Sequence, residues 1–375
     1  MKLHAHSLYG RNTRLAVSNG GLFKMKTGLR LLFTSLIVIA LGCATSGTRP
    51  FADPRFVRQG IVAGDDPGCE RATLVSTGGA FPKDSRTLAI RWTGYTNYEL
   101  VYNGQIILLD AHFDRGNTFA PLGFTAADVK RANVILLGHG HLDHMSDAAS
   151  VGARTGAIVV GAPITTDKLK TQSIDPKQIK TVTGRGGELL EFPGFKVEPI
   201  LGRHGEPPKD VTAAFENALK AVAPKPTAEQ IAERNEIRQR GTNDPRVVTE
   251  GTIAYLITLD NGFRILFRDS GGTVTDYEKV AMERVGRVDV ALVAVSASFL
   301  HTLTAQRALE HMRAYKPDVY IPGHHDASFN GLWRATEPLF QALKDENPDI
   351  ITVSRGYREP ICFDTENNIQ RRQRV

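Results

Sequence analysis

ILLGHGHLDHMSD, residues 135–147, places three of the chain's 11 histidines and an aspartate within six consecutive positions. The apolar run VILLG (134–138) predicts a buried strand, and residues 146–156 predict a helix. The four polar side chains between them therefore lie on a tight connecting loop. Gly138 and Gly140 allow that loop to turn without a Cβ clash.

The side chains on this loop are of the types that bind zinc. Imidazole nitrogens and carboxylate oxygens coordinate zinc at about 2.0–2.2 Å, and a catalytic zinc site keeps one position open for water. Alternate residues of an extended segment point the same way, so His139 and His141 can hold one ion. Asp143 and His144 then face a neighbouring position. Four ligand-type residues in six positions favour a metal centre over a chance group of surface histidines.

A loop of this kind supplies only part of a coordination sphere, so further ligands are expected at strand ends downstream. His204 follows the predicted strand KVEPILG, Asp269 ends FRILFRD, and His324 follows the strand in YIPGHHD. Alone, each would be as readily a cap or an ordinary surface group. Together with the loop they complete a set of seven candidate metal ligands.

The overall charge argues against a nucleic-acid partner once its location is considered. The chain has 375 residues, 41% of them hydrophobic, which allows one large or two modest domains with a sizeable core. Its net charge is +6, but residues 1–42 contain six basic and no acidic side chains, so the rest of the chain is neutral. We therefore expect no nucleic-acid partner and no electrostatic binding of the folded part to an anionic membrane.

The N-terminal segment has the pattern of an export signal. Lys24, Lys26 and Arg30 precede the uncharged run LLFTSLIVIAL (31–41), which is too short to span a bilayer as a helix and fits a signal-peptide core. The run ends in IALGC, which resembles a bacterial lipobox. We expect cleavage before Cys43, acylation of its thiol and a periplasm-facing place in the cell envelope, at the outer membrane. A plain secretory signal with an incidental cysteine is the alternative.

The rest of the chain divides into a tether, one folded domain and a tail. Residues 43–72 are rich in Pro, Gly, Ser and Asp and predict a tether with a loop leading into the domain. The domain is expected over 73–366 and a polar tail over 367–375. Within the domain, residues 205–250 are polar and helix-prone, with PKP dividing two predicted helices and TAEQ forming a capping box. Such an insertion is a lid, a binding loop or a surface hairpin without a role.

Short apolar runs predict strands in both halves of the domain, and helical segments separate the two blocks. The dipeptide NG at 103–104 predicts a hairpin turn between ELVYN and QIILLD. This succession favours two packed sheets with helices outside, and no internal repeat is visible in the sequence. Near the ends of the folded part, Cys69 and Cys362 could form a disulfide in an oxidising compartment, with buried free thiols as the alternative.

The motifs taken in chain order resemble the metallo-β-lactamase superfamily over about residues 73–340: H-x-H-x-D-H, a histidine, an aspartate in a D-S-G context and a histidine in P-G-H. The resemblance implies an α/β fold, a four-layer αββα sandwich of two mixed sheets with outer helices and metals at one edge. It implies two zinc ions, with iron or manganese as possible substitutes. The implied ligands are His139, His141 and His204 for the first ion, Asp143, His144 and His324 for the second, and Asp269 as a bridge.

Other residues near the motifs have less certain assignments. Asp110, at a strand end, would orient the metal loop without contacting an ion. Arg268 stands where relatives carry glycine, which puts a cation near the site. His301, which follows VALVAVSASFL, is a candidate catalytic residue that donates a hydrogen bond to substrate, with an ordinary loop histidine as the alternative. His112 is undecided in the same way. Either histidine of P-G-H-H could be the ligand, and the pattern favours the first.

The expected function is hydrolysis. Two ions about 3.5–4 Å apart lower the pKa of a bridging water, so that hydroxide is available as the nucleophile near neutral pH. Asp143 could orient that water or accept its proton. A bridging Asp269 fits relatives that hydrolyse phosphodiesters, esters or lactones better than true β-lactamases, so a small or lipid-like substrate of that kind is expected. β-Lactam hydrolysis and a non-catalytic, metal-stabilised binding lipoprotein are the alternatives.

Overall fold

The structure, a computed structural model, describes residues 66–70, 72–206, 213, 217, 225–295, 301–326 and 336–367. The predicted export signal, Cys43, most of the tether and most of the polar tail lie outside these residues. So does most of the first predicted helix of the 205–250 insertion.

The first sheet has seven strands in the order β14-β1-β2-β3-β4-β5-β6. They are β1 (Thr87–Trp92), β2 (Tyr98–Tyr102), β3 (Gln105–Leu109), β4 (Val134–Leu136), β5 (Ile158–Gly161), β6 (Ile179–Thr181) and β14 (Pro360–Asp364). Pairing is antiparallel from β14 to β3 and parallel from β3 to β6. The predicted NG turn joins β2 to β3, with φ of 45° at Asn103 and 74° at Gly104, as a tight hairpin requires.

The second sheet repeats this succession of pairings. Its seven strands have the order β13-β12-β11-β10-β9-β8-β7. They are β7 (Leu190–Phe192), β8 (Phe195–Gly202), β9 (Thr252–Leu259), β10 (Arg264–Arg268), β11 (Val290–Ala294), β12 (Val319–Gly323) and β13 (Ile351–Thr352). Pairing is antiparallel from β7 to β10 and parallel from β10 to β13. The two halves therefore share a topology although their sequences show no repeat.

Among the described residues the α-helices lie mainly between strands. They are α1 (Pro67–Glu70), α2 (Leu142–Met145), α3 (Ala148–Thr155), α4 (Pro163–Lys170), α5 (Ala228–Arg240), α6 (Arg246–Glu250), α7 (Asp276–Val285), α8 (His301–Tyr315) and α9 (Glu337–Glu346). None of these described helices has both the length and the apolar character needed to cross a bilayer.

Three layers of buried apolar side chains hold the sandwich together. The inner layer joins the two sheets, with Leu88, Ile90 and Trp92 of β1 among its members. Outer layers cover the opposite sheet faces, one beneath α3 and α4 and the other beneath α7, α8 and α9. Because both faces of each sheet are buried, the strands read as continuous apolar runs. The predicted αββα sandwich of two mixed sheets is thereby confirmed.

A disulfide joins Cys69 of α1 to Cys362 of β14 across 293 residues of sequence, with the two Cα atoms 6.0 Å apart. The sequence leaves a disulfide or buried free thiols as alternatives, and the structure has the disulfide. β14 pairs with β1, opposite Ala89 at the position of Cys362. The bond therefore fastens the start of the described domain to the strand that completes the first sheet.

Replacing both cysteines (Cys69→Ala with Cys362→Ala) should lower the free energy of unfolding by about 2–5 kcal/mol, because the unfolded chain gains entropy when so long a loop is released. Urea unfolding measures the change. Dithiothreitol should destabilise the wild type and leave the double variant unchanged. Equal midpoints for the oxidised wild type and the double variant would contradict a stabilising bond.

Candidate metal centre

All seven candidate ligands meet at one edge of the sandwich. They follow strands β4, β8, β10 and β12, and the carboxyl ends of strands that run in the same direction lie at the same edge of a sheet. Their donor atoms form three overlapping groups, within each of which every atom lies within 4.8 Å of the others. The groups are His139, His141 and His204; His139, His144 and Asp269; and Asp143, His144 and His324.

The connection after β4 is partly helical. His141 is extended, with φ −67° and ψ 155°, and α2 begins at the next residue, Leu142. Asp143 and His144 therefore lie within a short helix, and the helix predicted from residue 146 begins at Ala148 instead. The prediction of one extended loop through all four polar residues is wrong. Helical geometry, not alternation, places Asp143 beside His144.

Gly138 and Gly140 serve close packing instead of the turn predicted from them. Neither has a positive φ. A Cβ on Gly138 would lie 1.9 Å from Cγ of Asp269, and one on Gly140 would lie 2.6 Å from Cγ2 of Thr242. Real Cβ atoms do not approach other atoms so closely, so glycine is what allows the loop to lie against Asp269.

The first group contains only imidazoles. Nε2 of His139 lies 2.9 Å from Nδ1 of His141, and the ring centroids of these two residues lie 4.7 Å and 5.0 Å from that of His204. Burial, followed by the charge of neighbouring imidazoles, lowers the pKa of His141 to about 4 and that of His204 to about 3. Both rings are neutral at ordinary pH, and a neutral ring keeps a lone pair for a metal.

The second group combines a carboxylate with two imidazoles. Oδ2 of Asp143 lies 3.6 Å from Nε2 of His144 and 3.2 Å from Nε2 of His324. His324 has a φ of 65°, a left-handed conformation that is uncommon for histidine. Its backbone N–H donates to the carbonyl of Tyr95 at 2.6 Å, which holds this unusual backbone in place.

Two buried carboxylates at equivalent strand ends fix the histidines of the β4 connection. Asp110 follows β3 and accepts a hydrogen bond from Nδ1 of His144 at 2.8 Å. Asp269 follows β10 and accepts one from Nδ1 of His139 at 2.6 Å. Each histidine consequently keeps Nε2 for its group. Asp110 also accepts from the N–H of Gly138 at 3.0 Å, a contact that suits its predicted orienting role.

Asp269 lies between the two groups, where a bridging ligand is predicted. Its Oδ2 is also 3.4 Å from Nδ1 of His144, and its Oδ1 accepts a hydrogen bond from the hydroxyl of Thr252. Burial alone would raise the pKa of Asp269, but His139 and His144 hold it below the usual range. The carboxylate is therefore charged at ordinary pH.

The residues present fit a divalent metal centre. Nitrogen and carboxylate oxygen donors at this spacing suit zinc, and iron or manganese accept the same types of ligand. Nδ1 of His204 and Nδ1 of His324 are buried and make no hydrogen bond among the described residues. Buried polar atoms normally have partners, and ligation of these rings would supply the missing interaction.

Three further residues named in the sequence analysis are Arg268, His325 and His301. Arg268 is a cation close to the site, as predicted, but its side chain lies on the opposite face of the second sheet, where Nε donates to Glu278 at 2.8 Å. His325 stacks on the indole of Trp92, with ring centroids 4.3 Å apart, so His324 is the histidine at the cluster. His301 begins α8 and does not lie in a loop, and its side chain is outside the described atoms.

The turn between β1 and β2 contributes side chains to the site that are not predicted from the sequence. The hydroxyl of Thr96 donates to Oδ2 of Asp110 at 2.7 Å, and the ring of Tyr95 meets those of His324 and His112 edge-on, at 4.9 Å and 5.2 Å. His112 is buried beside the site, and burial lowers its pKa to about 3. A signal was available, because this turn follows a strand parallel to the one that ends at Asp110.

The second part of the insertion packs directly on the metal loop. The predicted capping box at Thr227 begins α5, which ends before Gly241 as predicted. The N–H of Thr242 donates to the carbonyl of Gly140 at 2.8 Å, and the guanidinium of Arg240 binds the buried carboxylate of Asp147 at 3.0 Å. The end of α5 and Thr242 therefore pack against the loop that carries the candidate ligands, whereas most of α5 is exposed.

Gly138→Ala should weaken zinc binding by about 10–100-fold, because the new methyl group displaces the carboxylate that orients His139. Chelator competition on the purified protein measures the affinity. Gly161→Ala is the matched control, since the nearest atoms to its methyl group would belong to Thr165, at 3.0 Å, and Leu137, at 3.7 Å. Equal zinc affinity in the Gly138 variant and the wild type would show that the close approach is unimportant.

Proteins similar to this chain include several metal-dependent hydrolases. A UPF0173 metal-dependent hydrolase of Polynucleobacter asymbioticus is 22% identical over 71% of this chain and 83% of its own length. A second, from Thermoplasma acidophilum, is 23% identical over 68% of this chain and 90% of its own. The structure of Igni18, a metallo hydrolase of Ignicoccus hospitalis, matches 74% of this chain and 98% of its own with a TM-score of 0.50 and 16% identity.

The family itself is shown by a match to a family model. The sequence model of the beta-lactamase superfamily domain matches residues 105–325, which is more than half of the chain and extends from β3 to the histidine pair after β12. This range contains all seven candidate ligands. The resemblance predicted from the motifs is confirmed, and the chain belongs to the beta-lactamase superfamily.

Proposed function

We propose that this protein is a metal-dependent hydrolase with two divalent ions, zinc in the first instance. The observation that carries the proposal is the convergence of seven ligand-type side chains, from four separate strand ends, into groups with donor atoms within 4.8 Å. His139, His141 and His204 would hold one ion, Asp143, His144 and His324 the other, and Asp269 would lie between them. Bound ions supply Lewis acidity, which activates water and polarises the bond to be cut.

The three carboxylates of this site differ in burial. Asp110 and Asp269 are fully buried against histidine rings; Asp110 would orient His144 only, whereas Asp269 would also lie between the ions. Asp143 keeps 24% of its side chain exposed, so water and substrate can reach it. Burial would raise the pKa of Asp143, but His144 and His324 hold it well below its usual value. Asp143 therefore orients a water by accepting its hydrogen bond and is a weak base.

The proposed substrate is a small or lipid-like phosphodiester, ester or lactone. The place of Asp269 between the two groups supports this choice, because the superfamily resemblance associates a bridging carboxylate with those activities and not with β-lactam hydrolysis. His141 and His204 are only partly buried, which leaves the first group open to a bound molecule. Arg240 and Thr242, at the end of α5, pack against the same loop.

Zinc-reconstituted protein should hydrolyse at least one chromogenic substrate from a panel of a phosphodiester, an ester, a lactone and a cephalosporin. Elemental analysis should find about two ions per chain. His141→Ala should reduce kcat/KM by about 100-fold or more, because loss of a ligand removes transition-state stabilisation. Lys170→Ala, on the exposed face of α4, is the control. Absence of activity on the whole panel would favour a binding protein, and hydrolysis of the cephalosporin alone would favour a β-lactamase.

We also propose that the protein is exported and anchored by a lipid on Cys43. The lipobox-like IALGC supports this, as does the Cys69–Cys362 disulfide, since such bonds persist mainly in oxidising compartments. Cells expressing the wild type and grown with radiolabelled palmitate should yield labelled protein, and Cys43→Ala should abolish the label. An unlabelled wild type, or equal labelling of the variant, would overturn the anchor.

A further inference from the structure

Arg268 lies directly before Asp269 but on the other face of the second sheet. Successive residues of a strand point to opposite faces, so Asp269 faces the metal centre while Arg268 enters the layer beneath α7 and α8. Its side chain is fully buried. A buried guanidinium is costly unless its charge and its donors are compensated.

Every N–H of this guanidinium has an acceptor. Nε donates to Oε1 of Glu278 at 2.8 Å, and one terminal nitrogen donates to the carbonyls of Ser270 and Gly272. The other terminal nitrogen donates to the carbonyls of Arg203 and Thr273, at 3.1 Å and 3.0 Å. Arginine has five donors, and here five acceptors meet them. Burial would lower the pKa of Arg268, but Glu278 holds it above its usual value, so the side chain stays charged.

The four carbonyl acceptors belong to two of the three segments that carry candidate metal ligands from the second sheet. Arg203 directly precedes His204, and Ser270, Gly272 and Thr273 follow Asp269. The segments touch: a Cβ on Gly272 would lie 2.1 Å from the carbonyl oxygen of Arg203. The N–H of Gly205 also donates to the hydroxyl of Ser270 at 2.8 Å. The position of His204 relative to Asp269 is therefore set by this contact.

Side chains of the outer helices contact the Arg268 guanidinium and its acceptors from the other side. Glu278, in the first turn of α7, also accepts from the hydroxyl of Tyr315 at 2.5 Å and from the N–H of Thr275 at 2.7 Å. Nε2 of His311, on α8, lies 2.8 Å from the carbonyl of Gly272. Arg268 consequently joins two helices to the ligand-bearing segments through one rigid planar group.

We propose that Arg268 is a positioning residue for the metal centre: its five donors fix the His204 segment against the segment after Asp269, so that His204 stands ready to bind. This rests on the proposed function in that His204 is taken as a metal ligand. Lysine cannot replace the arginine, because three donors on one nitrogen cannot reach five separate acceptors in two directions.

Zinc affinity, measured by competition with a chromogenic chelator on full-length protein, tests this in a double-mutant cycle. Arg268→Met should weaken zinc binding by about 10–100-fold in the wild-type background. Combined with His204→Ala it should add less than about threefold, because the residue through which it acts is already gone. Arg268→Lys keeps the charge beside Glu278 and should reproduce the loss if the methionine variant does not fold.

Arg91→Met is the matched control. Arg91 is equally buried, lies on β1 with its guanidinium 3.5 Å from Glu99, and binds the carbonyl of Gly68. It should lower the unfolding midpoint and leave zinc affinity unchanged. Equal losses from Arg268→Met with and without His204, or unchanged affinity in both Arg268 variants, would overturn the proposal. These measurements use no substrate, so failure of the hydrolase assay is a separate result, whereas a wild type that binds no zinc would overturn both proposals.

Discussion

The approach of the β4 loop to the second sheet is the constraint on which the site depends. Gly138 leaves room for the carboxylate of Asp269, and its N–H donates to Asp110. Its carbonyl accepts from the N–H of Ile253, on β9, at 2.7 Å. One residue without a side chain thus touches both sheets at the edge where four ligands of the first sheet's connection meet three from the second. Tight packing leaves no slack in such a contact, so the separation of the sheets sets the separation of the ligands.

The electrostatics of the cluster follow from its burial. Two carboxylates, Asp110 and Asp269, lie out of water, and neighbouring imidazoles offset the cost of burying them. Burial would lower the pKa of His144, but Asp143, followed by Asp110, raises it to about 10. The carboxylates around His144 therefore favour positive charge at this point. A divalent cation meets the same requirement, which is the physical reason that this arrangement suits a metal.

Much of this site can be predicted from the sequence, because residues of metal-binding types directly follow the predicted strands. Clear apolar runs in the sequence precede all seven residues: those from His139 to His144, and His204, Asp269 and His324. The start of α2 at Leu142 is missed because a four-residue helix has no periodicity of its own. The contacts of Arg268 with the outer helices are not predicted, because its partner Glu278 lies on a helix that follows ten residues later and no pattern links the two. The docking of α5 depends on contacts that leave no pattern along the chain.

The last strand among the described residues belongs to the first sheet. β14 pairs with β1, and the Cys69–Cys362 bond closes the same long-range contact. During synthesis the first sheet therefore retains an unpaired edge at β1 until β14 has been made. Contacts so distant in sequence slow folding, and exposed strand edges invite association with other chains. Pairing of β14 with β1 is thus the step that closes this edge to other chains.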